Sequence, residues 1–248
     1  MVALAGSEII LYAYVITEFV FQMPEKQAIQ IQRPGRFKMK SFIVDLWSSI
    51  FAILRRFSIL FWVRRFFRWR IPNFPFIDAW VLGNLLFAFL SVMVFVPGIP
   101  SLFQTLLLSY GGIRIFETIV DQINVLLFDE YRARKAGTPY AVISFRRIVI
   151  LLLHSYFEMM LWFALFYLYF NKSFDSGLAT LQKPYQAIAY SFYTLTTFGY
   201  AATAPIDQLG YFLVFSESIV GLFMALVILA RFLSLLPSPE TMDQWERR

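Results

Sequence analysis

The residues best suited to chemistry are Thr194-Leu195-Thr196-Thr197-Phe198-Gly199-Tyr200-Ala201, near the C-terminal end of the chain. They follow a short helical pattern from Pro184 to Thr197 and lie between two long apolar segments. An uncoiled stretch has no aqueous reason to sit there. Non-helical backbone at membrane depth is tolerated only where protein buries it or where it lines a water-filled path. A loop that presents successive backbone carbonyls replaces the hydration shell of a cation.

Other reactive side chains are sparse. His154 and Glu158 stand one helical turn apart on an apolar segment. They fit a proton- or metal-linked site, or a buried structural hydrogen bond, or a contact with Arg114 or Glu117 of the preceding segment. The single histidine and the absence of cysteine exclude thiolate and His-cluster metal sites and leave no spare His for a conventional triad. No Gly-rich phosphate loop, Walker-type lysine or paired-carboxylate setting is visible. Neither an enzyme nor a bound cofactor is expected.

The elements that must position the loop are membrane helices. Of 248 residues, 59% are hydrophobic and only 15% charged, and the mean hydropathy is +0.62. Soluble domains run to about 25% charged. An all-α, polytopic membrane protein is predicted. Residues 1–23 form an apolar helix that either spans or lies in the interface, with Glu8 and Glu18 as its charges. It lacks the basic start and small-residue cleavage site of a signal peptide, since the first basic residue is Lys26.

Residues 24–75 are a basic cytoplasmic linker followed by an amphipathic helix. Ser41, Asp45, Ser48, Ser49, Ala52, Arg55 and Arg56 form a polar stripe, and Arg64, Arg65, Arg68 and Arg70 follow among aromatics. The arginines do not recur at every third position, which speaks against a voltage sensor. They are expected to face anionic lipid at the membrane surface, and the apolar surroundings argue against nucleic acid.

Residues 76–97 then form a span, Pro97-Gly98-Ile99-Pro100 a turn, and 101–128 a returning helix with Arg114, Glu117, Asp121 and Asn124 on one face. This hairpin, 76–128, is followed by a polar cytoplasmic loop, 129–147. Spans are expected at 148–170 and 208–236, within a unit over 148–236 that also holds the loop. Pro237 and Pro239 end the last helix, and a tail, 237–248, closes the chain.

The run Ala187-Ile188-Ala189-Tyr190-Ser191-Phe192-Tyr193-Thr194-Leu195-Thr196-Thr197-Phe198-Gly199-Tyr200 resembles the pore helix and selectivity filter of tetrameric potassium channels, whose filter reads Thr-Val-Gly-Tyr-Gly. Pro205 matches the proline after the filter, and Gln208-Leu209-Gly210-Tyr211 with Glu217 fits the start of the inner helix. Gly221, twenty residues after Ala201, falls where that family often has a hinge glycine for gating. The likeness covers 184–232, about a fifth of the chain.

It implies a re-entrant pore helix and a homotetramer that passes potassium, the permeant ligand, down its gradient. The carbonyls of Thr197, Phe198, Gly199 and Tyr200 and the Thr197 hydroxyl would ring the axis, with Thr196, Ala201 and Glu217 as supports. Gly199 would adopt a left-handed backbone. Glu217 would tune the outer vestibule or brace the pore helix of a neighbouring copy.

Two positions depart from the family. Ala201 replaces the second filter glycine, and Ala202 replaces the usual aspartate. These departures keep open a non-selective monovalent cation channel and a non-conducting regulatory or structural subunit. With the filter's Tyr end outside, as in that family, nineteen Lys and Arg fall in cytoplasmic segments and only Lys172 and Lys183 outside. This agrees with the positive-inside rule and puts the C-terminus in the cytoplasm of a cell with a plasma-membrane channel. No cytosolic sensing domain is expected after the inner helix.

Overall fold

The computed structural model describes residues 41–59, 62–63, 74–95, 102–137, 144–175, 181–199 and 203–233. The N-terminal apolar segment, the 24–40 linker, Arg64, Arg65, Arg68, Arg70, Tyr200, Ala201, Ala202 and the 237–248 tail lie outside the described residues.

The elements are helices α1 (Phe42–Leu54), α2 (Phe74–Val94), α3 (Leu102–Ile123), α4 (Asp129–Lys135), α5 (Phe145–Tyr169), α6 (Pro184–Leu195) and α7 (Gln208–Leu233), and the short strands β1 (Phe174–Asp175) and β2 (Ala204–Pro205). A π-helical turn, Asn124–Phe128, joins α3 to α4. Three helices among the described residues are long and apolar enough to cross a membrane: Pro75–Val94, Arg146–Tyr169 and Gln208–Leu233. That is consistent with a multi-pass membrane protein. α3, expected as a span, does not join them. It carries Gln104, Arg114, Glu117 and Asp121, each costly to place in lipid.

The chain divides into two compact units, and the division cuts across the hairpin expected over 76–128. One holds residues up to Trp80 together with Ser109–Val142, and the other holds Val81–Leu108 and everything from Ile143.

In the first unit, α1 runs antiparallel to the second half of α3 and its extension. At one end Tyr131 Oη donates to Asp45 Oδ1 at 2.8 Å, and Lys135 Nζ lies 2.5 Å from the same oxygen. In the middle Phe51 stacks on Phe128 at 5.5 Å, and the Asn124 amide donates to the Phe51 carbonyl at 3.3 Å. At the other end the Ser58 hydroxyl donates to Glu117, which Arg114 meets at 2.5 Å. Asn124 also gives the π turn a local reason. Its amide caps the Val120 carbonyl at 2.8 Å, and its Oδ1 accepts from Arg132 at 2.6 Å. Arg55, expected to face lipid phosphate, instead lies 3.8 Å from Asp129. Arg56 is exposed.

The second unit is built on α5, whose Trp162, Ala164, Leu165, Tyr167 and Leu168 are wholly buried. Ser144 caps it by accepting the Arg147 N–H at 3.3 Å. Phe87 of α2 meets Trp162 edge-on at 5.8 Å, and Phe95 meets Tyr169 at 6.2 Å. The remaining faces of α5 hold α6 and α7.

Candidate functional site

α6 starts where the sequence dictates. Pro184 occupies the first turn, where its missing N–H is no loss. The Lys183 N–H donates to Gln186 Oε1 at 3.3 Å. Tyr190 on the buried side packs edge-to-face on Tyr167 of α5 at 4.7 Å and on Phe174 of β1 at 5.6 Å. This aromatic cluster fixes the rotation of the helix.

Both ends of the intervening segment are tied together. β1 pairs antiparallel with β2, Phe174 opposite Pro205 and Asp175 opposite Ala204, and the Ile206 N–H donates to the Ser173 carbonyl at 2.9 Å. The chain therefore leaves and returns at the head of α7. There Asp207 caps α7, accepting the Gly210 N–H at 2.7 Å. That bond, with the Ser173 hydroxyl, holds the Asp207 carboxyl below the ordinary aspartate value.

The far end of α6 meets α7 at Gly221. A Cβ on Gly221 would stand 2.0 Å from the Leu195 carbonyl oxygen. Only glycine allows this approach. Gly221 lies thirteen positions beyond Gln208, about 20 Å along the helix at 1.5 Å per residue. The contact gives Gly221 a packing role that is separate from any hinge.

A polar node lies between these two anchor points. Glu217 of α7 is fully buried and accepts hydrogen bonds from the Tyr167 hydroxyl of α5 and the Ser191 hydroxyl of α6. The Ser191 Oγ also lies 2.7 Å from the Met160 carbonyl. Glu217 thus braces the α6 of its own chain. Its partner Tyr167 had no distinguishing signal in the sequence, because it stands in an aromatic-rich helix.

Beyond Leu195 the backbone changes hand. Thr196 is right-handed (φ −83°), Thr197 left-handed (φ 61°), and Gly199 left-handed (φ 75°), as expected for that glycine. A left-handed non-glycine residue costs roughly 1–2 kcal/mol, and such strain concentrates at functional sites. The turn is held by Thr197 N–H to Thr194 O at 3.1 Å and Gly199 N–H to Tyr193 O at 3.4 Å. A right-handed residue followed by a left-handed one turns successive N–H groups to one side, and here the Thr197 and Gly199 N–H groups both point back to carbonyls of α6. Thr197, Phe198 and Gly199 are exposed, Phe198 by 78%, while Thr196 is half-buried and bonds the Phe192 carbonyl at 2.6 Å. The α6 dipole points its negative end toward this turn.

The other candidates separate. His154 Nδ1 lies 2.7 Å from the Ile150 carbonyl of its own helix. Glu158, buried, accepts from Trp162 Nε1 at 3.2 Å. Among the described residues, no cluster of His, Cys, Asp and Glu is arranged to hold a metal ion.

No protein-family model matches the chain, and neither does any curated protein or solved structure.

Proposed function

We propose that the chain is one subunit of a homotetrameric potassium channel of the plasma membrane, with Thr197, Phe198, Gly199 and Tyr200 as the filter. One observation carries this reading. The segment between β1 and β2 starts and ends at the head of α7, yet its middle touches α7 at Gly221. A segment that goes about 20 Å down a spanning helix and returns descends well into a ~30 Å hydrocarbon core. This geometry supports reading its turn as a re-entrant loop at membrane depth. Exposed backbone at that depth needs protein cover or a water-filled path, and further copies of the chain supply either. Each copy gives one oxygen per ring, so a ring needs several copies.

The left-handed backbone at Gly199, as the filter of that family requires, supports this assignment. Glu217, Tyr167 and Ser191 hold the helix that carries the loop. Potassium is the permeant ligand, and the protein has no resident cofactor and no catalytic role. The C-terminus and the basic segments face the cytoplasm. Two sequence features favour a second reading, a non-selective monovalent cation channel: Ala201 lacks the freedom of the filter glycine, and Ala202 lacks the aspartate behind it.

The test is ion flux from liposomes loaded with purified protein. Potassium efflux is expected from the natural chain and none from Gly199→Asp. Equal flux from both, or none from either, removes the channel reading and leaves a non-conducting membrane subunit.

A further inference from the structure

α1 faces the opposite way from a helix whose polar stripe rests on lipid headgroups. Its stripe is occupied within the chain. Asp45 meets Tyr131 and Lys135, the Ser48 carbonyl accepts from Arg132 at 3.4 Å, the Phe51 carbonyl accepts from Asn124, and Arg55 pairs with Asp129. The opposite side presents Phe42, Ile43, Leu46, Trp47, Ile53 and Phe57, exposed by 45% to 77%. This apolar side runs from Phe42 to Phe57, roughly 22 Å of helix. A continuous exposed apolar face of that length marks a contact surface.

Charge identifies the occupant. Asp45 is the only carboxylate between Lys26 and Ile77, and it is already paired. The same stretch carries Lys38 and Lys40 before the helix, Arg56 exposed on it, and Arg64, Arg65, Arg68 and Arg70 after it. An apolar helix face flanked by cations, with tryptophan on it, matches a leaflet of acyl chains under anionic headgroups.

We propose that the Phe42–Phe57 face of α1 is immersed in the acyl layer of an anionic leaflet, while its polar stripe holds the α3–α4 extension of the same chain. The membrane thus grips the apolar side of α1, and the polar side is internal. This rests on the membrane address proposed above and not on conduction, so it stands or falls separately from the flux result.

The chain has no cysteine, so single introduced cysteines carry one nitroxide each. The full chain is labelled at Leu46→Cys, Ile53→Cys and Phe57→Cys, with the exposed Ala136→Cys beyond α4 as the control, in vesicles of phosphatidylcholine with phosphatidylglycerol. Collision with oxygen and with a water-soluble nickel chelate is then measured. Leu46, Ile53 and Phe57 positions are expected to collide with oxygen and to lose nickel collisions, and Ala136 to retain nickel collisions. Nickel access at the three apolar positions overturns the proposal. Exclusion of both reagents also overturns it, because protein, either residues 1–22 or a second copy, then covers the face. In phosphatidylcholine alone the labels are expected to sit shallower, and unchanged depth overturns the anionic requirement. Should a labelled variant fail to fold, quenching of Trp47 by brominated lipid, read against Trp47→Phe, decides the same question: quenching lost in Trp47→Phe supports the proposal, and no loss overturns it.

Discussion

Two buried carboxylates, one in each compact unit, are held by opposite means. Glu117 is 3% exposed and meets a full positive charge, Arg114, with Ser58 as its second partner. Glu217 is 0% exposed and is held by the hydroxyls of Tyr167 and Ser191. Both are nodes that fasten one helix to another. The first brings its own counter-charge, as a lock between helices with no ion to manage requires. The second joins three helices beside the proposed filter without adding a fixed cation. A guanidinium at that place would repel a cation in the proposed filter through a medium of low effective dielectric. The contrast separates a structural lock from a support compatible with cation passage.

The largest expected effect breaks the ionic node. Arg114→Met takes the guanidinium from a buried carboxylate, and about 3–5 kcal/mol of stability is expected to be lost in detergent-solubilised unfolding. The double variant Arg114→Met with Glu117→Leu is expected to recover most of that loss, because apolar replacement of both partners is close to neutral. No recovery would mean that the pair does more than satisfy itself.

Next comes the glycine contact. Gly221→Ala forces a Cβ toward the Leu195 carbonyl, and overpacking of this kind costs roughly 1–3 kcal/mol. Here flux is expected to disappear, since the end of α6 must move. A hinge role alone would leave the packing intact and change only opening, so retained stability with altered open probability would shift weight to the hinge.

The hydroxyl node is expected to respond more weakly. Ser191→Ala removes one hydrogen bond to Glu217 and is expected to cost about 1 kcal/mol. Its effect should show as reduced potassium flux with unit-one stability unchanged. A loss as large as that of Arg114→Met would erase the distinction drawn between the two nodes.

The smallest effect belongs to the exposed end of α1. The Lys135 ammonium and then the Tyr131 hydroxyl hold the Asp45 carboxyl below its ordinary value of 3.8. Its folded value lies below its unfolded one, so the stabilisation is present above the ordinary value and fades as pH falls through the lowered one. Unfolding titrations are therefore expected to show this contribution intact at neutral pH, lost in strong acid, and absent throughout in Asp45→Asn. High salt is expected to weaken it, because the groups are exposed.

Much of the helical pattern was legible from apolar run length and punctuation. The helix predicted over 76–97 is observed as Phe74–Val94, that over 148–170 as Phe145–Tyr169, and that over 208–236 as Gln208–Leu233. Pro184 marked the start of α6 correctly. Arg114 and Glu117, read from spacing onto one helical face, do meet there. Three features were not legible, each for a physical reason. The π turn at Asn124–Phe128 adds a single residue to a helical turn and leaves no mark in a periodicity of apolar residues. The stripe on α1 was visible, but periodicity identifies a polar side without saying whether protein or headgroup meets it. Thr197 takes a left-handed conformation at the end of α6, where the usual sequence signal is glycine.

The central claim is best tested by the reversal potential of purified protein in a planar bilayer with potassium on one side and sodium on the other. A reversal close to the potassium equilibrium potential is expected. Reversal near zero would contradict potassium selectivity and leave a cation path without discrimination, and the absence of any current would contradict conduction itself.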